Sequence, residues 1–392
     1  MSRLFLLMGV FILSTCGALT LFQREQFMDP MEIIRYHGYP AETHETTTQD
    51  GYILVLHRIP YGRNGVGNGS PVRRPPVLLQ HGLLGSSFDY LSLLPEKSLS
   101  YSLADAGYDV WIGNNRGNIY STEHATYAWR DSRYWNFSWD EMSEFDYPAM
   151  IDYVLATTNK TELYLVGHSQ GVLTYFASST FNQSIQDKVK YLFGLAPALS
   201  STNFEIAFNN LLSAFPTLAK LLLWLTPNEA SSLPVMFPLC GQAIYLGACK
   251  VGLGMFSGPT DQLNTTRIPI YVAHYPGGTS RKNLLHWLQQ SQNGTAHYDY
   301  GGTGNLARYG TPFPRSYNYS GYRTSSSLYY SPADRIVSTE DMKIAFSLIP
   351  SSTIIRNRNL TNFAHTDFIW GDRAKTEIYD EIIGDLAAME GA

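Results

Sequence analysis

Five consecutive residues, Gly167-His168-Ser169-Gln170-Gly171, combine a potential nucleophile with the backbone freedom needed to expose it. They follow the apolar run Leu163–Val166 and precede the helix-prone stretch Val172–Ser179. A strand that enters a sharp turn and leaves as a helix is the setting in which Gly-x-Ser-x-Gly works as a nucleophile elbow. The glycines admit the turn and its close packing, and the turn lifts the Ser169 hydroxyl clear of the sheet. The pentapeptide alone recurs by chance, so the flanking elements carry the meaning. A serine hydroxyl is a poor nucleophile until a base takes its proton and a third group orients that base. For a strand–elbow–helix serine those partners come later in the chain, acid first and histidine second.

Of the ten histidines, only His297 and His365 lie far enough toward the C-terminus to follow a late acid. His365 stands in Asn362-Phe-Ala-His-Thr-Asp-Phe-Ile-Trp370, a loop-like start running into an apolar stretch. Before it comes Leu328-Tyr-Tyr-Ser-Pro-Ala-Asp-Arg-Ile-Val337, where a strand-like aromatic run breaks at Ser331-Pro332 and leaves Asp334 in a loop at a strand end. Taken alone, Asp334 also reads as an ordinary turn aspartate. His297 competes for the role of base, but no acid stands at suitable spacing before it. Ser169, Asp334 and His365 support one another as a set.

The electrophilic half has its own pattern. Pro76–Gln80 reads as a buried strand that ends in His81-Gly82-Leu83-Leu84-Gly85. Acyl transfer needs backbone N–H groups aimed at the developing oxyanion. One donor is expected from Gln170, the residue after the nucleophile, and the other from Leu83 in the loop after the early strand. His81 reads as a structural histidine that fixes this loop rather than as a catalyst.

These strings, with several others, resemble the acid lipases of the gastric and lysosomal type over nearly all of the chain beyond its first residues. Ile33–Pro40, Thr48–Leu54, Arg58–Gly62, Val110–Asn118, Phe137–Met142, Asp146–Ala149, Pro276–Ser280 and His365–Trp370 carry the likeness, and many are rich in Trp, Tyr and Gly. The resemblance implies an α/β-hydrolase fold with a mostly parallel central sheet and an inserted, mainly helical cap/lid domain. It implies Ser169 as nucleophile, Asp334 as orienting acid, His365 as base, and Leu83 and Gln170 as oxyanion-hole donors, with no metal or organic cofactor. It further implies that His365 stays largely neutral in acid.

Composition agrees. A chain of 392 residues, 44% hydrophobic, can bury one large α/β core and an insertion. A net charge of −5 and the lack of basic runs exclude a nucleic-acid binder. Arg3, the apolar run Leu4–Leu13 and the small residues at Cys16-Gly-Ala18 read as a signal peptide over residues 1–18, too short an apolar run for a membrane anchor. Asn-x-Ser/Thr sequons at Asn68, Asn136, Asn159, Asn182, Asn264, Asn293, Asn318 and Asn359 outnumber the roughly three expected by chance and fit a glycoprotein. Past the signal only Cys240 and Cys249 remain, read as a local disulfide or as two buried thiols.

Strands are expected at Ile53–Ile59, Val77–Gln80, Asp109–Ile112 and Glu162–Val166, and a helix at Met142–Ala156. The sheet is expected to resume at Ile268–Ala273 and again near Leu328 and Ile354. Core segments 19–199 and 320–392 then flank a cap at 200–319, whose charge-poor stretch 227–258 reads as a lid for a lipid-droplet or emulsion surface, or as the cap's own core. The expected reaction is hydrolysis of triacylglycerol and/or cholesteryl esters to fatty acids in the secretory pathway, either in the lysosome lumen or after secretion. The alternatives are an esterase of short soluble esters and a silent lipid carrier on the same fold.

Overall fold

The computed structural model describes residues 24–65, 75–200, 202 and 246–391. The labelled elements run, in order, α1 (Pro30–Tyr36), β1 (Glu42–Thr47), β2 (Tyr52–Ile59), β3 (Pro76–Gln80), α2 (Leu99–Asp105), β4 (Asp109–Gly113), β5 (Glu123–His124), α3 (Tyr147–Thr158), β6 (Leu163–His168), α4 (Gln170–Phe181), β7 (Val189–Leu195), α5 (Leu246–Ser257), α6 (Ile268–His274), α7 (Arg281–Asn293), α8 (Gly301–Tyr309), β8 (Ser326–Tyr330), α9 (Thr339–Leu348), β9 (Ile354–Asn359) and α10 (Asp380–Met389). Among the described residues, the strands form one sheet in the order β1-β2-β4-β3-β6-β7-β8-β9, with β5 on β2. From β4 through β9 the neighbours are parallel; β1, β2 and β5 add antiparallel pairs at one end.

Alternation explains how both faces are covered. Val77, Leu79, Val110, Ile112, Tyr164 and Val166 point into one core, shared with α2 and α10, whereas Leu78, Trp111, Leu163 and Leu165 point into the other, shared with α3 and α4. Strands buried on both faces read as continuous apolar runs, which is why they were visible in the sequence.

The chain leaves β3 toward β4 and returns past it to β6, so the strand order reverses beside β3. The crevice above the C-terminal ends of strands at such a reversal is where open α/β sheets place their ligands. Gln80 of β3 pairs with Gly167 of β6 there, setting the loop after β3 beside the Ser169 turn.

Two expectations require correction. Residues 268–273 form helix α6, not a strand. The run Ile-Pro-Ile-Tyr-Val has strand-like composition, but Pro269 sits in the first helical turn, where its fixed φ fits, and Ile268, Ile270 and Tyr271 are buried. The helix expected at Met142–Ala156 begins earlier, at Trp139 behind the Ser138 cap, and runs through a π-helical turn at Met142–Asp146 into α3. Residues 203–245, which include most of the expected lid, lie outside the described residues.

Candidate active site

Strand β6 delivers Ser169 in a backbone conformation that side chains rarely adopt, φ 54° and ψ −117°. The turn survives because its surroundings over-determine it. The Ser169 N–H donates to the Leu195 carbonyl at 2.9 Å. A Cβ on Gly171 would lie 2.6 Å from the Gln80 carbonyl oxygen, so the helix can start this close to β3 only with glycine there. A Cβ on Gly167 would press at 3.0 Å on the backbone of Gly171 and Val172. Ser169 thus stands at the positive end of the 12-residue helix α4.

The loops after β8 and β9 bring the acid and base to it. His365 Nε2 lies 2.8 Å from Ser169 Oγ, and its Nδ1 lies 2.8 Å from Asp334 Oδ2. An ionised Asp334 can only accept, which places the proton on Nδ1 and leaves Nε2 free to receive the serine proton. Asp334 Oδ1 accepts the Ile336 and Val337 N–H groups at 2.7 and 2.9 Å, locking the carboxylate. All three side chains are buried. The backbone of His365 is held at both ends: its N–H donates to the Ser257 carbonyl at 2.7 Å, and its carbonyl accepts from His168 Nε2 at 3.0 Å. Burial, with His365 nearby, holds the His168 imidazole well below the usual histidine range, so it stays a neutral donor. Ser331 Oγ ties the two loops together by accepting the Ala333 and Phe363 N–H groups, both at 3.1 Å.

On the opposite side, the loop after β3 touches the elbow. A Cβ on Gly82 would sit 3.0 Å from Ser169 Cβ. The Gly82 carbonyl belongs to the same peptide plane as the Leu83 N–H, and it accepts from His81 Nδ1 at 2.8 Å. His81 Nε2 in turn accepts the Asn115 N–H at 3.1 Å. His81 therefore fixes the peptide plane that carries the Leu83 N–H, and burial keeps it neutral by lowering its pKa to about 4. Asn114 Oδ1 accepts the Ser87 N–H at 2.9 Å, so the end of β4 braces the loop twice. Gln170, the other residue expected to offer an amide, is the first residue of α4.

A serine, a histidine and an aspartate linked in this way can pass a proton from Ser169 toward His365. Comparison with known proteins gives the family. The family described as "Partial alpha/beta-hydrolase lipase region" matches residues 30–94, and "alpha/beta hydrolase fold" matches residues 75–222. The chain is 39% identical to lipase lipl-1 of Caenorhabditis elegans, over 92% of this chain and 91% of that one. It is 36% identical to the gastric triacylglycerol lipase of Bos taurus, over 93% and 92%. The chain belongs to the gastric and lysosomal acid-lipase family. It is a carboxylic ester hydrolase. Solved structures share the fold at lower likeness. An α/β-hydrolase from Penicillium matches with TM-score 0.52 at 17% identity, over 89% of this chain and 98% of that one. An epoxide hydrolase from Vigna radiata matches with TM-score 0.52 at 12% identity, over the same shares.

The remaining expected residues of this lipase are distributed as follows. His297 does not meet Ser169; its Nδ1 lies 3.0 Å from Asp140 Oδ1. Cys249 is disulfide-bonded, and Cys240 lies outside the described residues. Asn136, Asn159, Asn182, Asn318 and Asn359 are exposed, Asn264 is half-buried, Asn293 ends α7, and Asn68 lies outside the described residues. Asn182 and Asn264 each accept from the N–H and the hydroxyl of their own sequon Ser184 or Thr266. Sequence reasoning did not single out Ser331, Asn114, Asn115 or Ser257, whose contributions are hydrogen bonds that involve a backbone group on at least one side and carry no motif.

Proposed function

We propose that this lipase hydrolyses neutral-lipid esters, triacylglycerols and/or cholesteryl esters, to free fatty acids through a Ser-His-Asp acyl-enzyme. The observation that carries this reading is the unbroken chain Ser169–His365–Asp334, with 2.8 Å at each link. His365 takes the Ser169 proton as Oγ attacks the ester carbonyl. The Leu83 and Gln170 amides stabilise the oxyanion, and His365 protonates the leaving alcohol. Water, deprotonated by the same imidazole, then releases the fatty acid and restores Ser169. The names of the relatives, gastric triacylglycerol lipase among them, support the lipid substrate.

Action in acid is supported by the chemistry around the site. His57, His81 and His274 are lowered to about 4 by burial, so they stay uncharged through mild acid. Asp89, in the turn after the Leu83 loop, is pushed up to about 8 by burial, so it too is uncharged there. We read residues 1–18 as a signal peptide, 200–319 as a cap with a lid at 227–258 closed by Cys240–Cys249, and the exposed sequons as glycan sites. These readings support a place in the secretory pathway, either in the lysosome lumen or outside the cell. Among the described residues no helix is long and apolar enough to cross a membrane.

The test is hydrolysis of emulsified triolein and cholesteryl oleate from pH 4 to 8 by wild type and Ser169→Ala. Acid-range activity lost in the variant supports the reading, and the substrate ratio assigns the lipid class. A pH–rate profile whose acid limb sits near neutrality contradicts acid action. A folded wild type that neither hydrolyses lipid nor reacts with a fluorophosphonate points to a silent carrier, and one that cleaves only short esters to a soluble esterase.

A further inference from the structure

One segment outside the triad, Tyr275–Trp287, reaches both expected oxyanion donors. On the Gln170 side, the side-chain oxygen Oε1 accepts from Trp287 Nε1 at 2.6 Å and from Asn283 Nδ2 at 3.0 Å. Indole nitrogen only donates, so Gln170 must present its oxygen to it, and Asn283 must then present its amide hydrogens. The second Asn283 hydrogen goes to Thr279 Oγ1 at 3.0 Å. All four side chains are buried. On the Leu83 side, the Tyr275 hydroxyl donates to the Leu83 carbonyl at 3.1 Å, and the Gly277 N–H donates to the Leu84 carbonyl at 2.6 Å. A Cβ on Gly277 would lie 2.8 Å from the Gly85 carbonyl oxygen, so backbone packs on backbone there.

Both anchored sites are under backbone strain. Leu84 has φ 60°, and Gln170 directly follows Ser169 with φ 54°. An amide beside a strained residue relaxes unless something outside the turn holds it. The segment is itself fixed: Ser280 caps α7 and donates to the Phe137 carbonyl, and His286 stacks on Trp139 at 3.5 Å between ring centres.

We propose that Tyr275–Trp287 is a clamp that sets the spacing of the two oxyanion-hole amides, with Asn283 and Trp287 as positioning residues acting through the Gln170 side chain. The inference rests on the oxyanion roles proposed above for Leu83 and Gln170. It predicts that loosening the clamp harms the transition state and leaves ground-state binding of a small substrate alone.

The test uses the full-length glycosylated enzyme and the soluble ester p-nitrophenyl butyrate, so that adsorption to lipid does not enter. Trp287→Phe keeps the ring and removes the donor; Asn283→Leu keeps the approximate volume and removes both donors. Each is expected to lower kcat about tenfold to a hundredfold with KM unchanged, and to weaken a boronic-acid transition-state analogue by the same factor. In a Gln170→Ala background, Trp287→Phe is expected to cost nothing further, because its partner is gone. Equal losses in both backgrounds, or a fall in thermal midpoint with kcat intact, would overturn the clamp and leave a packing role. A wild type whose activity survives Ser169→Ala overturns the proposed mechanism instead, so the two failures are separable. If Trp287→Phe does not fold, Asn283→Leu carries the same cycle with Gln170→Ala.

Discussion

The proposed acid–base arm and the proposed oxyanion arm of this site are built by different means. In the first, side chains meet side chains: Ser169, His365 and Asp334 touch directly, delivered by the ends of β6, β8 and β9. In the second, the proposed working groups are peptide N–H donors, and side chains hold peptide planes, as His81 does at the Gly82 carbonyl. Chemistry fixes residue type in the first arm, whereas the second accepts many residues at Leu83 itself and is strict about its supports. The acid–base arm is therefore fragile to substitution of its own members, and the oxyanion arm to changes in its neighbours.

Substitution on the acid–base arm has the largest expected effect. Ser169→Ala is expected to lower kcat by about 10⁶-fold and to abolish fluorophosphonate labelling. Asp334→Asn keeps a hydrogen bond to His365 but favours the wrong tautomer, and is expected to cost about 10⁴-fold in kcat. Retention of more than a tenth of wild-type kcat by Asp334→Asn would show that another group orients the base. On the oxyanion arm, Gly82→Ala adds a Cβ at 3.0 Å from Ser169 Cβ and His168 Nδ1, and the loop must retreat. The expected loss is about 10²-fold in kcat, the order of one misplaced donor. A Gly82→Ala enzyme as active as wild type would mean that Leu83 does not serve as donor.

The same contrast explains what could be read without the structure. Strands β2, β3, β4 and β6 were legible to within one or two residues: burial on both faces leaves unbroken apolar runs in β3, β4 and β6, and β2 opens with the apolar run Tyr52–Leu56 before His57 and Arg58. Glu42–Thr47 carries no such signal: this edge strand alternates between half-buried and exposed polar residues, Glu-Thr-His-Glu-Thr-Thr. Residues 268–273 were misread because composition outweighed Pro269, and burial of one face by tertiary packing decided for helix. In the site, the serine, histidine and aspartate announced themselves by chain order and turn context. Asn283 and Trp287 did not, since nothing local to 283–287 refers to Gln170 more than a hundred residues away.

The smallest expected effect is a pH dependence rooted beside the oxyanion arm. The Asp89 carboxyl occupies the space a Gly85 side chain would fill and accepts the Ser86 N–H, and burial pushes it up to about 8 from an ordinary 3.8. Between those values the folded chain holds a proton that the unfolded chain has lost. Stability from Asp89 is therefore complete below about pH 3.8 and is lost as pH rises toward 8. The buried histidines His57, His81 and His274 work in the opposite sense. With folded values of about 4 against 6.5, they bind fewer protons folded than unfolded, so their share of stability falls as pH drops from 6.5 toward 4. Their window overlaps that of Asp89 only below 6.5, which isolates the carboxyl between pH 6.5 and 8. Asp89→Asn keeps the acceptor for Ser86 and cannot ionise. Thermal midpoints of wild type are expected to fall by several degrees between pH 6.5 and 8, and those of Asp89→Asn to stay level. The same variant should hold its kcat on p-nitrophenyl butyrate further toward pH 8, because a charge buried under the loop no longer pushes the Leu83 amide out of line. Parallel pH curves for the two proteins would place the alkaline sensitivity elsewhere and leave the oxyanion arm electrostatically silent.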